Sequence, residues 1–234
     1  MVGCLTVAGL LCFSQVCIAA NLKQADKLFE KGTYQEALKA YKEVFKHPRD
    51  RETKWKAFFR TCESLTHLWR YGEAAQLLTD TPLPQRTSHR ARILILRAEL
   101  YCQFLREYRR ILNRDVIDSE DKGVFALTRD EVKSRIEQAF QELWDLRKSL
   151  TWMPLSREGY YIEVKNIDKG MYPTVFDYVV LRYSDYLLFY GLDESSPYFV
   201  EKQQGKKLPD AAIVIREELN KKVNFKDFPS LLAA

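Results

Sequence analysis

The chain has 234 residues, of which 46% are hydrophobic and 13% aromatic, with only nine Gly and eight Pro. This composition is typical of an ordered, helix-rich globular protein, and it argues against both a disordered chain and a turn-rich β-sandwich. The formal net charge of +5, from 37 basic and 32 acidic residues, is too small in a chain of this length to indicate a nucleic-acid-binding surface.

An uncharged, largely apolar leader opens the sequence. Residues 1–22 carry no charged side chain, and their apolar run ends at Ala20, before Asn21. Small residues before a polar one are typical of a signal-peptidase site. We therefore predict a signal peptide over residues 1–20, cleaved after Ala20, and export to the periplasm or the cell surface. Two alternatives are an uncleaved leader that tethers the chain to a membrane, and lipidation at Cys17.

The next segment predicts two helical hairpins that are related by a repeat. Between Ala25 and Pro48, apolar residues recur three and four positions apart on both sides of Gly32, which indicates two short amphipathic helices joined by a turn. The same arrangement returns between Trp55 and Leu78. Four positions repeat at an interval of 37 residues: Ala25 and Cys62, Leu28 and Leu65, Tyr34 and Tyr71, Ala37 and Ala74. Helical units of this kind bury their apolar faces by stacking on one another.

This repeat resembles the tetratricopeptide repeat family. The residues that stand at that family's turn glycine, packing aromatic, small contact residue and second aromatic are Gly32, Tyr34, Ala37 and Tyr41. In the second unit, Trp69 takes the place of the turn glycine. The resemblance implies an all-α fold over residues 21–114, built as an α-solenoid of stacked antiparallel helical hairpins. It also implies that the chain binds a protein or peptide partner.

The same resemblance indicates where a partner binds. In that family the first helix of each hairpin lines the concave face of the stack. The candidate binding residues, which lie off the packing positions of the second unit's first helix, are Phe59, Glu63, Thr66 and His67. The alternatives are that they are ordinary surface residues or that the C-terminal half covers them.

Residues 115–234 predict a helical C-terminal half. The capping-box pattern of Thr128 and Glu131 indicates the start of one helix, because each residue satisfies a backbone amide of the other. A second helix opens at Pro173, whose missing amide proton costs nothing at the first helical position. A last amphipathic helix is expected over residues 210–222.

The segments 124–150 and 172–191 together resemble the amino-terminal helical region of large bacterial α-2-macroglobulin-like proteins. The residues that carry the pattern are Thr128 through Glu131, then Tyr172, Pro173, Thr174, Asp177 and Tyr178. In that family a leader and helices of tetratricopeptide type precede an array of β-sandwich domains. The present sequence contains neither that array nor a Cys-x-Glu-Gln thioester motif. The resemblance therefore implies the leading helical module alone, as a truncated or split product, without protease trapping.

No motif of catalysis or metal binding stands out in the sequence. The three histidines are far apart, none has a second histidine four positions away, and the glycine-rich phosphate-binding loops are absent. Outside the leader only Cys62 and Cys102 remain, and either free thiols or one disulfide fits them. We therefore expect a non-enzymatic, exported interaction scaffold with no cofactor and no metal. The alternative is an envelope-polymer hydrolase whose carboxylates converge from distant helices.

Overall fold

The computed structural model describes residues 21–112, 123–165, 167–168 and 170–187. Within these ranges the chain is all-helical, with a single isolated antiparallel bridge between Pro154 and Thr174 and no strand. The all-α prediction is confirmed for this part of the chain. The predicted leader and the last predicted helix lie outside the described residues.

The first hairpin consists of helices α1 (Leu22–Glu30) and α2 (Tyr34–Lys46). The turn between them has the geometry that the sequence predicts, because Gly32 adopts a φ of +76°. Thr33 N donates to Leu28 O at 3.0 Å, and Gly32 N donates to Phe29 O at 2.9 Å. This pair of hydrogen bonds is the Schellman motif, which ends a helix on a left-handed residue.

The second hairpin consists of α3 (Arg51–His67) and α4 (Tyr71–Asp80). Its turn repeats the first one bond for bond, since Arg70 N donates to Leu65 O at 2.8 Å and Trp69 N donates to Thr66 O at 2.9 Å. Trp69 therefore occupies the left-handed position with a φ of +60°. The prediction that Trp69 replaces the turn glycine is confirmed, and it places a bulky side chain where the backbone favours glycine.

Small residues allow the helices of these hairpins to approach one another closely. Ala25, Ala37 and Ala57 are completely buried, and they form a small apolar core with Tyr41 and Val44 between α1, α2 and α3. The two hairpins meet along α2 and α3. The apolar repeat of the sequence thus becomes the packing surface between successive helices.

A long central helix joins the hairpins to the rest of the described chain. Helix α5 (Thr87–Glu107) packs on α3 and α4 on one side and extensively on α7 (Arg129–Asp145) on the other. More than half of its residues are buried. Two one-turn helices complete this region, namely α6 (Arg109–Leu112) and α8 (Arg147–Leu150).

The capping box predicted at the start of α7 is present. Thr128 N donates to Glu131 Oε2 at 2.7 Å, and Glu131 N donates back to Thr128 Oγ1 at 3.2 Å. This reciprocal pair satisfies two amides that the helix itself leaves free.

The helix predicted to open at Pro173 begins two residues later, as α9 (Val175–Tyr186). Thr174 is its N-cap, because Thr174 N donates to Asp177 Oδ2 at 2.8 Å and Asp177 N donates to Thr174 Oγ1 at 3.3 Å. Pro173 lies before this second capping box, and its carbonyl accepts a hydrogen bond from Leu155 N at 2.9 Å. The prediction for Pro173 was wrong because the capping pair fixes the helix start more strongly than the proline does.

Candidate functional site: the inner face of the hairpins

The first helices of the hairpins and the central helix share one side of the molecule. We call this surface the inner face and define it by Asp26 of α1, Glu52, Phe59 and Arg60 of α3, and Arg92 of α5. It is covered by a short turn from the C-terminal half of the chain, residues 158–161, which we call the 158–161 turn. Tyr161 N donates to Glu158 O at 2.8 Å and closes this turn.

Tyr160 joins the turn to α1 and α3. Its hydroxyl donates to Asp26 Oδ1 at 2.8 Å, and the same oxygen accepts the hydroxyl of Tyr41 at 2.7 Å. Arg60 Nη2 donates to the Tyr160 carbonyl at 3.0 Å, and the Arg60 guanidinium lies 4.6 Å from the centre of the Tyr160 ring. Burial, with the hydrogen bond to Asp26, raises the pKa of the Tyr160 hydroxyl well above its ordinary value. The phenol therefore stays protonated and acts as a donor.

Tyr161 is buried against α3. Its ring meets the ring of Phe59 edge to face, with the centroids 5.1 Å apart, and its hydroxyl donates to Glu52 Oε1 at 2.9 Å. Burial alone would raise the pKa of Glu52, but the Tyr161 hydrogen bond and the charge of Arg92 outweigh it and lower that pKa. Glu52 is thus held as a carboxylate that accepts from the turn.

Glu158 anchors the turn to α5 through a buried ion pair. Arg92 Nε donates to Glu158 Oε2 at 2.7 Å, and Arg92 Nη2 donates to Glu158 Oε1 at 3.0 Å. The guanidinium and the carboxylate thus form a bidentate ion pair. Glu158 is 5% exposed. The Arg92 guanidinium also lies 4.2 Å from the centre of the Tyr161 ring. One arginine therefore contacts two residues of the turn.

A buried histidine lies beside this ion pair. Arg92 Nη1 lies 3.3 Å from His89 Nδ1, and because arginine can only donate, His89 Nδ1 is the acceptor. His89 Nε2 then carries the proton; it lies 3.6 Å from Glu52 Oε2 and has no hydrogen-bond partner among the described residues. Burial lowers the pKa of His89, so the ring is neutral near pH 7. His89 thus lies beside Glu52 and Arg92 without adding charge.

The four candidate binding residues of the sequence fall at different depths on α3. Phe59 is 1% exposed beneath Tyr161, so the C-terminal half covers its ring, which is one of the alternatives that the sequence left open. Glu63 is partly buried and pairs with Arg60 at 2.8 Å, and Thr66 Oγ1 donates to the Glu63 carbonyl at 2.7 Å. His67 is exposed and stacks on the ring of Tyr34, with the centroids 4.3 Å apart.

A cavity of about 720 Å³ lies between α3, α5 and α9, with Tyr161 of the 158–161 turn in its wall. The acidic and basic residues that line it are Glu63, Glu99, Arg106, Glu163, Arg182 and Asp185. Burial raises the pKa of Glu63 to about 7, and the charge of nearby Glu99 adds to this effect while Arg60 opposes it. A volume of this size suits a small molecule or one or two side chains of a partner.

Glu99 is held in the cavity wall by α9. It accepts a hydrogen bond from the Tyr178 hydroxyl, and Arg182 Nε lies 3.5 Å from Glu99 Oε1. Burial nevertheless raises the pKa of Glu99, because these two partners compensate only part of the lost hydration. Cys102 also lines the cavity, and burial raises the pKa of its thiol to about 12, so it is not a nucleophile at neutral pH.

The residues that hold the 158–161 turn carried no signal in the sequence. The hydrogen-bonded partners Asp26 and Tyr160 are 134 positions apart, and Glu52 and Tyr161 are 109 positions apart. Each looks like an ordinary helix-surface or loop residue in its own segment. The one sequence feature that points to such a contact is the aromatic content of the loop before α9, with Trp152, Tyr160, Tyr161 and Tyr172.

Cys62 and Cys102 form no disulfide within the described ranges. No group of three His, Cys, Asp or Glu side chains is placed to hold a metal ion in this part of the molecule. None of the helices that the structure describes has the length and apolar character that crossing a membrane requires.

Comparison of the chain with protein-family models, with curated proteins and with solved structures finds no match. The inner face and the adjoining cavity are therefore the features from which a function is inferred.

Proposed function

We propose that the chain is an exported, non-enzymatic interaction scaffold whose inner face binds a short peptide turn of a protein partner. One observation carries this proposal: the inner face already holds a peptide turn, through side chains of α1, α3 and α5. A surface that holds a four-residue turn through three of its side chains and one backbone carbonyl has the chemistry of peptide recognition. The scaffold itself needs no cofactor and no metal for this role.

The finer fold that we propose is a tetratricopeptide-like stack. It is supported by two Schellman turns at the same position of two successive hairpins, and by the packing of the hairpins along α2 and α3. In such a stack the first helices line one face, which is where α1 and α3 contribute Asp26, Glu52 and Arg60. This arrangement supports the inner face as the binding surface.

We further propose that this stack is the leading helical module of an α-2-macroglobulin-like protein, exported by the leader over residues 1–20. The capping boxes at Thr128 and Thr174 lie at positions on which that resemblance depends. The proposal leaves protease trapping to other domains and gives the module a docking role.

A photocrosslinking experiment tests the interaction role. A photoreactive phenylalanine analogue replaces His67, which is exposed on α3 close to Glu63, and in a control it replaces Lys39, which is exposed on α2. We expect irradiation of cells that produce the chain to give a defined cross-linked protein from position 67 and none from position 39. No product from position 67, or the same products from both positions, would contradict the proposal.

A second candidate, the envelope-polymer hydrolase, is favoured by one specific observation. Glu63 and Glu99 line the same cavity and both have raised pKa values, which suits a general acid near neutral pH. In this case the purified chain releases soluble fragments from isolated cell-envelope polymer, and Glu63→Gln abolishes release while Glu36→Gln on α2 does not. Absence of release by the unaltered chain between about pH 5 and 8 rejects this candidate.

A further inference from the structure

We propose that the 158–161 turn is an internal ligand of the inner face, and that the face recognises a partner peptide of the form Glu-x-Tyr-Tyr, which binds by displacing this turn. The inference rests on the proposed function and deepens it, because it names the chemistry of the partner and the contact that keeps the face closed.

Three positions of the motif are defined by dedicated partners on the inner face. The carboxylate of Glu158 accepts two hydrogen bonds from the guanidinium of Arg92. The hydroxyl of Tyr160 donates to Asp26, and the hydroxyl of Tyr161 donates to Glu52. Two acidic acceptors therefore select two phenols, and one arginine selects a carboxylate. Phenylalanine at either tyrosine position would remove one of the donors of a carboxylate: Asp26 would keep only Tyr41, and Glu52 would keep its longer contacts, such as that with Arg92.

The second position of the motif is open. Gly159 is exposed and lies outside the left-handed region, and a Cβ built on it meets only Val164 Cγ2, at an ordinary contact distance of 3.8 Å. Any residue that tolerates a turn can therefore follow the glutamate, which is why the motif is written with x.

The turn also presents its backbone for recognition. Arg60 Nη2 donates to the carbonyl of Tyr160, and the Arg60 guanidinium lies between the rings of Tyr160 and Phe29, 4.6 Å and 4.7 Å from their centres. A peptide that folds into the same turn makes this contact independently of its side chains. Sequence selectivity then comes from the three side-chain positions.

The chain is tied down on both sides of the turn, so displacement requires only residues 158–161 to leave. Leu155 N donates to Pro173 O at 2.9 Å before the turn, and Ile162 is buried directly after it. The local concentration of such a tethered ligand is high, which makes the closed state the resting state and requires a partner with a well-formed turn.

Addition of the turn in trans tests this inference. The variant Tyr160→Ala/Tyr161→Ala removes both phenols of the turn from Asp26 and Glu52 and leaves Glu158 on Arg92. A synthetic peptide of residues 154–164 is titrated into this variant by calorimetry. We expect the double variant to bind the peptide at least tenfold more tightly than the unaltered chain, in which the face is occupied. Peptides with Tyr160→Phe or Tyr161→Phe should bind the double variant several-fold more weakly, because each lacks a hydroxyl that Asp26 or Glu52 accepts, and a scrambled peptide should not bind.

Matched controls make every outcome decisive. Trp152→Ala/Met171→Ala removes two large exposed side chains that are not among the residues of the turn or of the inner face, and it should bind peptide no better than the unaltered chain. The inference is overturned if the double variant retains its helical circular dichroism but does not bind the peptide. It is also overturned if the double variant binds the scrambled peptide equally well. If the double variant is unfolded alone, saturating peptide must restore its helical signal, and failure to do so equally overturns it.

This experiment is separable from the test of the proposed function. If position 67 gives cross-links but the peptide does not bind, the interaction role stands and the Glu-x-Tyr-Tyr motif is wrong. If the peptide binds but position 67 gives no cross-links, the inner face recognises the turn within the chain and the interaction role is wrong.

Discussion

At the scale of single residues, Trp69 shows that a repeated turn can keep its left-handed backbone conformation even where the glycine that favours this conformation is replaced. Its φ of +60° matches the +76° of Gly32 in the first hairpin, and the hydrogen bonds of the two turns correspond. The Trp69 side chain is 60% exposed, so little packing offsets the cost of the left-handed conformation.

Replacement of Trp69 by glycine should therefore stabilise the chain. Trp69→Gly relieves the clash of Cβ with the neighbouring carbonyl, and we expect the free energy of unfolding to rise by about 1 kcal/mol. Urea denaturation followed by circular dichroism measures it. Trp152→Gly is the control, because Trp152 is 86% exposed with a negative φ, and it should give no gain. Equal or lower stability of Trp69→Gly would show that its ring contact with Tyr71 matters more than the strain.

Glu63 makes the stability of the fold depend on pH. Its pKa is about 7 in the folded chain against about 4.5 ordinarily, so between these values the folded state binds more protons than the unfolded state. The contribution of Glu63 to the free energy of unfolding should therefore be greatest below about pH 4.5, and it should be lost as the pH rises through 7. The loss amounts to at most about 3 kcal/mol.

Glu63→Gln should remove that fall, so the variant gains stability relative to the unaltered chain at pH 8 and not at pH 4.5. Glu43→Gln is the control: the hydrogen bond from Lys46 lowers the pKa of Glu43, so its removal should act in the opposite direction and weakly, since both groups are exposed. Unfolding curves recorded across this pH range decide the matter. A Glu63→Gln variant that keeps the same decline with pH would show that another group causes it.

At the scale of elements, the contact between α5 and the 158–161 turn depends on the Arg92–Glu158 ion pair. The contribution of this pair to the free energy of unfolding comes from its burial. The Arg92–Glu158 pair and the Arg70–Glu73 pair have the same two-point geometry, but the side chain of Glu158 is 6% exposed and that of Glu73 is 52% exposed. Removal of one partner from a buried pair leaves a charge without compensation, whereas an exposed charge is rehydrated.

Glu158→Ala should consequently destabilise the chain by about 2–4 kcal/mol. Glu73→Ala should cost less than about 1 kcal/mol, since water replaces the lost partner. Thermal and denaturant unfolding of both variants give the comparison. Similar losses in the two variants would mean that the turn is not held against α5 in the way described.

At the scale of the whole molecule, the sequence was informative where structure is decided locally. The left-handed turn at Gly32, the capping box at Thr128 and the alanines between α1 and α2 each depend on residues close in sequence or on helical periodicity. The start of α9 was misplaced by two residues because Pro173 and Thr174 give competing local signals, and the capping pair determines the structure.

The inner face was predicted only in part, because its contacts are non-local. Phe59 was expected to be accessible from its position off the packing stripe, but Tyr161, 102 positions later, lies on it. Asp26, Glu52 and Arg92 are polar residues on amphipathic helices, and nothing within their own segments distinguishes them from solvated surface residues. Their role emerges only when the chain brings the loop before α9 across the hairpins.

A double-mutant cycle between Asp26 and Tyr160 tests most directly whether the chain's own turn occupies the inner face. The cycle combines Asp26→Ala with Tyr160→Phe, which removes the acceptor and the donor of one hydrogen bond between residues 134 positions apart. We predict a coupling free energy of about 1–2 kcal/mol, because the bond is partly buried and its acceptor is charged. A coupling below about 0.3 kcal/mol would contradict a 158–161 turn that rests on α1.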